Sequence, residues 1–195
     1  MLREPCEADS AGPGGVPMRM LRLLGVLVFA CVAAWPAEAA ETVHCTVTGA
    51  VQGAIQGDSD VGGMGRENTI QAYDFHHLVT APSTGATQHE NIIISKKIDR
   101  ATVKLWTALD TRESMSWVCK FYRPAPSGGG AEEQFYTVTL GNARIVAMEP
   151  IVANTLDATT STYPPMERVR LSYQSITMVW SNGGVVYQMN VGTPP

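Results

Sequence analysis

The chain contains residues able to do chemistry, but their spacing does not assemble them for it. Asp58-x-Asp60-x-Gly62 has the opening of a calcium loop. Such a loop ends on a bidentate Glu at its twelfth position, and that position here is Thr69. His76 and His77 are adjacent and would point to opposite faces of a strand, with His89 the other candidate ligand nearby. No G-x-S-x-G nucleophile elbow, P-loop or dinucleotide fingerprint occurs. Cys45 and Cys119 lie in apolar alternating runs, without the exposed, electropositive surroundings that produce a reactive thiolate. Glu132-Glu133 fall in a Gly-rich turn, where solvated carboxylates are the default. The sequence therefore assigns no catalytic, cofactor-binding or metal-binding residue, and the protein reads as a non-enzyme.

Fourteen Lys and Arg against 18 Asp and Glu give a net charge of −4, without the basic stripe that nucleic acid requires. The apolar block Leu23 to Trp35 follows Arg19 and Arg22 and is closed by Pro36 and an A-x-A site, Ala37-Glu38-Ala39. That is the three-part pattern of a secretory signal peptide. As a helix the block would reach about 20 Å, short of a hydrocarbon core of about 30 Å, so no stable membrane insertion is expected. Residues 1–39 read as a leader, its signal-peptide-like part spanning 18–39, with Met18 or Met20 as its start and cleavage near Ala39. Lipidation at Cys31, in "VFAC", is the weaker alternative. Residues 40–195, about 155 residues, are then one ordinary domain.

Alternation in "VHCTVT", "MSWVCKFY", "FYTVTL" and "VVYQMNV" predicts half-buried strands, and "NIIIS" predicts a strand covered on both sides or lying at a subunit contact. In "ERVRLSYQSITMVW" the apolar phase runs through Val169, Leu171 and Tyr173, then shifts to Ile176, Met178 and Trp180, which predicts a bulge near Gln174 and Ser175. "SNGG", Ser181 to Gly184, supplies a tight hairpin. Ala101, Leu105 and Leu109 recur at helical spacing behind Asp99, which predicts one helix of about three turns with Asp99 as its N-cap. Cys45 and Cys119 both sit at inward positions, either as a disulfide or as two small buried side chains. The polar, Gly-rich stretch Gln52 to Asn68 is long enough to be an arm, and such loops commonly contact a neighbouring subunit.

The ordered segments "SKKIDRATVKLWTAL", "WVCKFYRP", "EEQFYTVTLGNARI" and "ERVRLSYQSITMVW" resemble the Hcp family (haemolysin-coregulated protein), the tube protein of type VI secretion systems. The resemblance runs from about His44 to Val191. It implies an all-β fold with one helix: a compact antiparallel β-barrel of two sheets flanked by a single α-helix. It also implies a homohexameric ring that stacks into a hollow tube, with a VgrG-like spike, a sheath and effector proteins as partners. The arm Gln56 to Asn68 would reach an adjacent subunit, and the helix Asp99 to Leu109 would lie toward the lumen. Tube proteins of this family are loaded in the cytoplasm without a cleavable signal, so the leader here departs from the pattern. It points to a periplasmic or secreted protein if the leader is used, and to cytoplasmic tube assembly before secretion if it is not. An exported Hcp-like binding or adaptor module that does not form tubes is the alternative; a small extracellular hydrolase or carbohydrate-binding domain is a third reading.

Overall fold

Each alternating run becomes a strand because a pleated chain puts every second side chain on one face. The computed structural model describes residues 41–127 and 130–192; the expected leader lies outside them. The strands are β1 (Thr42–Gly49), β2 (Gly53–Ile55), β3 (Ile70–His76), β4 (Val79–Thr80), β5 (Gln88–His89), β6 (Ile92–Lys97), β7 (Met115–Pro124), β8 (Glu132–Ile151), β9 (Met166–Ser172), β10 (Ser175–Trp180) and β11 (Val185–Asn190). The helix α1 (Ala101–Asp110) separates β6 from β7.

One antiparallel sheet runs in the order β11-β10-β8-β7-β1-β3-β6-β9, and β9 pairs back onto β8. Strands β8, β7, β1, β3, β6 and β9 thus close into a six-stranded barrel, which removes the edges an open sheet would leave. The short β2 pairs with β1, β10 and β11 extend the sheet beyond the barrel, and β4 with β5 form a separate two-stranded ribbon. Among the described residues this is the expected antiparallel barrel with one helix, its wall and the projecting hairpin belonging to one sheet through β8.

The 20-residue β8 makes that continuity possible by changing partner along its length. Residues 136–141 pair with β10, and residues 144–151 with β9. The change occurs at Gly141 and Asn142, opposite the break between β9 and β10 at Tyr173 and Gln174. The Gln174 N–H donates to Gly141 O (3.1 Å), and Asn142 Nδ2 donates to Gln174 Oε1 (2.9 Å). A Cβ at Gly141 would meet Ser175 Oγ, so a larger residue there would force that hydroxyl into another rotamer. The phase shift expected near Gln174 and Ser175 is therefore a corner where the chain passes from the barrel wall to the projecting hairpin. Ser181 to Gly184 close that hairpin with Trp180 opposite Val185.

Inside the barrel, Ile70, Ile92, Ile94, Trp117, Leu140, Leu171 and Ile176 are buried in one apolar cluster that also takes in Ala101, Leu105 and Ala108 of the helix. Cys45 and Cys119 lie directly opposite in the β1–β7 register and are joined as a disulfide, with Cα atoms 4.0 Å apart. Only Met189 and Val191 of the last alternating run pack against this core; Val185 and Tyr187 are exposed because the outer half of the hairpin overhangs the barrel.

The helix is fixed at its start by a buried charge cluster. Lys96 and Glu167 are opposite one another on β6 and β9, and both side chains are fully buried. Lys96 Nζ donates to Glu167 Oε1 (2.6 Å), Asp99 Oδ1 (2.8 Å) and Lys97 O (2.8 Å), and Thr102 Oγ1 donates to the same Glu167 oxygen (2.8 Å). Arg100 precedes the first helical residue and is already helical in its own dihedrals. Asp99 nevertheless does the capping work expected of it: its Oδ1 accepts the Ala101 N–H (2.9 Å), while its own N–H donates to Thr102 Oγ1 (3.0 Å). Replacing one member of a buried ion pair leaves the other charge uncompensated, typically at a cost of about 3–5 kcal/mol. Lys96→Met is expected to lower stability by that amount in urea denaturation, and Lys96→Met with Glu167→Met to recover most of the loss.

Candidate assembly surface

The Gly-rich arm between β2 and β3 folds back over the barrel's own outer wall. His44 and Tyr122 alternate out of phase with the core residues Cys45 and Cys119, yet they are only 2% and 1% exposed. The arm covers them. His44 Nδ1 lies 2.9 Å from Thr69 Oγ1, the Tyr122 hydroxyl donates to Met64 O (3.2 Å), and the Arg66 guanidinium sits 4.9 Å from the Tyr122 ring centroid while pairing with Glu132 at 2.7 Å. The base of the arm is closed by backbone bonds from Gly57 N–H to Asn68 O (2.9 Å) and from Asn68 N–H to Ser59 O (2.8 Å). Arg100 holds it from the helix side, donating through Nε to Gly57 O (2.7 Å) and through Nη2 to Asn68 Oδ1 (2.5 Å). The tip, residues 62–65, is exposed without a break, and there Gly63, Met64 and Gly65 all have positive φ.

Burial holds the His44 imidazole below its ordinary pKa, with the Arg66 charge adding to the effect and Glu132 opposing it. A lowered histidine favours the neutral ring in the folded state, so this contact stabilises fully above about pH 6.5 and loses strength as pH falls through the folded value.

At the opposite end of β1, Glu113 ties the β1–β2 turn to the residues after α1. Its Oε1 accepts the N–H groups of Val51 (2.6 Å) and Gln52 (2.8 Å), and its Oε2 accepts Gln52 Nε2 (2.8 Å). A Cβ at Gly49 would strike this carboxylate. Burial pushes the Glu113 pKa up, but the hydrogen bonds from Gln52 and Val51 outweigh it and hold the carboxyl below its usual value.

Several exposed apolar groups complete the surface. The β10–β11 hairpin shows Trp180, Val185, Val186 and Tyr187, and β11 leaves one edge unpaired among the described strands. Val103 and Trp106 project from the outer face of α1, and Leu156 and Tyr163 from the loop between β8 and β9. Exposed apolar groups along a free edge are what a protein–protein contact uses, and a monomer ordinarily protects such an edge.

The residues first considered for chemistry are placed differently. Asp58 and Asp60 line an open cleft of about 210 Å³ with Ser59, Gln71, Tyr73 and Lys97, and Asp58 is paired with Arg100 (3.1 Å). His76 is exposed at the end of β3, whereas His77 and His89 converge on Tyr173. Glu132 and Glu133 begin β8 and do not lie in the turn before it; each is paired, with Arg66 and Arg123 respectively. Among the described residues, no group of three or more His, Cys, Asp or Glu is placed to hold a metal, and no helix is long and apolar enough to cross a membrane. Sequence reasoning missed Arg66, Glu113, and the Lys96–Glu167 pair, whose signal was charge at the inward parity of two strands.

Glu113→Gln keeps the shape and one acceptor but loses the charge on the hydrogen bonds, at a cost of about 1–3 kcal/mol near neutral pH. Because the folded carboxyl is held low, that contribution is present above the unfolded value of about 4.5 and disappears as pH falls through the folded one. Urea midpoints measured from neutral to acid pH should converge for Glu113→Gln and the parent; a constant gap would contradict the assignment.

Known proteins share this architecture. A solved structure described as an Hcp protein superposes with a TM-score of 0.71, covering 80% of this chain and 100% of that one at 22% identity. The secreted protein Hcp3 from Pseudomonas aeruginosa superposes at 0.65, covering 79% of this chain and all of its own at 23% identity. In sequence, the major exported protein of Pseudomonas aeruginosa strain PAO1 is 29% identical over 153 residues, 71% of this chain and 88% of that protein. The family described as "Type VI secretion system effector, Hcp" matches residues 45–180, more than half of the chain, from the cysteine of β1 to the last residue of β10. With barrel, helix and matched span in agreement, the chain belongs to the Hcp family of type VI secretion systems.

Proposed function

We propose that the protein is a structural ring subunit: six copies close head to tail, and the rings stack into the inner tube of a type VI secretion system that delivers effectors. The observation that carries this reading is the β11 edge, unpaired among the described strands, where Val185, Val186 and Tyr187 are 67%, 57% and 50% exposed on a strand that overhangs the barrel. A head-to-tail contact joins two different patches and closes a ring when its rotation is one-sixth of a turn. A free edge with apolar side chains on both faces is suited to be one of those patches. The arm tip, residues 62–65, is the second element available to a neighbour. The helix would face the lumen, with Val103 and Trp106 toward cargo, and a VgrG-like spike and sheath would be the further partners. This role needs no active site.

The Cys45–Cys119 disulfide favours a second reading, an exported Hcp-like module that binds a partner without forming tubes. Disulfides persist in oxidising compartments, and residues 1–39 read as a cleavable leader before a domain at 40–195. The relative's name, major exported protein, is compatible with either route.

Light scattering and negative-stain imaging of the purified protein should give six protomer masses and rings. Val186→Lys should abolish them while leaving the melting temperature of the protomer nearly unchanged, because the side chain is exposed. A monomer at high concentration in the parent protein would refute the ring. Peptide mass spectrometry of fractionated cells, reporting the mature N-terminus and the redox state of Cys45, separates the two routes: a start near Ala40 with an intact disulfide supports export by the leader.

A further inference from the structure

Three side chains from distant segments meet at one oxygen atom. His77 lies between β3 and β4, His89 is in β5, and Tyr173 stands at the corner between β9 and β10, only 4% exposed. The Tyr173 hydroxyl is 2.6 Å from His77 Nε2 and 3.1 Å from His89 Nδ1. Both imidazoles stand edge-on or nearly so to the phenol, at centroid distances of 5.7 Å and 6.2 Å, and the two imidazole centroids are 6.2 Å apart.

Hydrogen-bond chemistry restricts how this cluster can be protonated. A phenol has one proton to donate, and a neutral imidazole has one donor and one acceptor nitrogen. The shorter distance suits O–H donation from Tyr173 to His77 Nε2, and the longer one suits N–H donation from His89 Nδ1 to the phenol oxygen. This leaves His89 Nε2 as a bare acceptor, in keeping with its being buried without a hydrogen-bond partner. With both rings neutral, every contact at the phenol is satisfied. When His77 gains a proton its Nε2 becomes a donor and the buried phenol proton loses its acceptor there, with the second imidazole centroid 6.2 Å away.

The two histidines hold both strands of the β4–β5 ribbon. His77 enters β4, His89 pairs with Val79 across the ribbon, and the Glu90 N–H closes its base on Leu78 O (3.0 Å). The ribbon is a separate two-stranded sheet, with Leu78 and Val79 exposed, so this shared phenol is a tie between it and the barrel corner. We propose that His77, Tyr173 and His89 form a proton-operated latch, which holds the β4–β5 ribbon against the barrel while the His77 ring is neutral and releases it when that ring gains a proton.

The surrounding groups support the direction. Burial first, then His89 and His76, hold His77 below its ordinary value, and burial, with Tyr187 of β11 adding to it, pushes the Tyr173 hydroxyl up to about 12. His76, next in the chain to His77, and Glu90, next to His89, are both exposed to solvent, where their interactions are screened. A histidine held low stabilises the closed form above about pH 6.5 and ceases to do so as pH falls through the folded value.

The test is amide hydrogen exchange of the full chain at about pH 7.5 and about pH 5.5, corrected for intrinsic exchange, with β1 and β7 as internal references. Protection at Thr80, Gln88 and Glu90, whose amides the ribbon register places in its ladder, should drop by up to about tenfold in acid while β1 and β7 keep theirs, the linkage limit one pH unit below the ordinary imidazole value. Tyr173→Phe should leave the ribbon open at both pH values. His77→Gln, whose amide oxygen still accepts the phenol proton and does not titrate, should reduce the acid response; as His77 is only half-buried, this variant serves if the Tyr173 change prevents folding. Ribbon protection that is equal at both pH values, that falls together with the whole barrel, or that falls only in the arm over His44 would overturn the latch.

Discussion

The structure turns on one buried ammonium group. Lys96 Nζ meets acceptors from β6, the helix start and β9 at once, and none of those contacts would be affordable in the interior without the others. The Lys96–Glu167 rung lies in the β6–β9 pairing, one of the six that close the barrel. Asp99 and Thr102 start the helix from the same point, and Arg100, between them, reaches out to Gly57 and Asn68 at the base of the arm. The closing strand pair, the helix start and the base of the arm therefore meet at one electrostatic cluster. Apolar packing supplies most of the stability, but it is non-directional. The directional information comes from this cluster.

The corner between β9 and β10 does the corresponding work for the open part of the sheet. Gly141 and Asn142 let β8 leave one partner and take another, and Tyr173 and Gln174 let the returning chain do the same. Without that double change β10 and β11 would not project beyond the barrel with the β11 edge left open among the described strands. Closure of six strands and exposure of an edge are compatible only because β8 is long enough to belong to both.

Much of this was legible in the residues. Period-two alternation located the main strands, and the phase slip after Tyr173 located the corner, because a register change is forced wherever one face must stay buried. Helical spacing at Ala101 and Leu105, with Asp99 before them, placed α1 within a residue or two. The charge cluster was readable in principle: Ile92, Ile94 and Lys96 share one face, as do Glu167, Val169 and Leu171, so two opposite charges stand at inward positions. Their pairing was not readable, since it depends on β6 and β9 being neighbours across about 70 intervening residues. His44 and Tyr122 were hidden for another reason. Their parity is outward, and only the arm's path over the wall buries them.

The disulfide bears on the same question of what the fold itself requires. Cys45 and Cys119 are directly opposed on strands that also pair from Thr42–Tyr122 to Gly49–Met115, so the backbone ladder alone already holds the two sulfurs in reach. The bridge closes a loop with a sequence separation of 74 residues and, in the chain-entropy view, acts mainly by restricting the unfolded chain, by about 4–5 kcal/mol. It is thus an addition to a barrel whose closure rests on the Lys96 cluster and on apolar packing. A barrel formed before oxidation would present the two thiols as direct cross-strand neighbours. Assembly in a reducing compartment followed by oxidation after exit, and folding directly in an oxidising one, therefore lead to the same covalent structure.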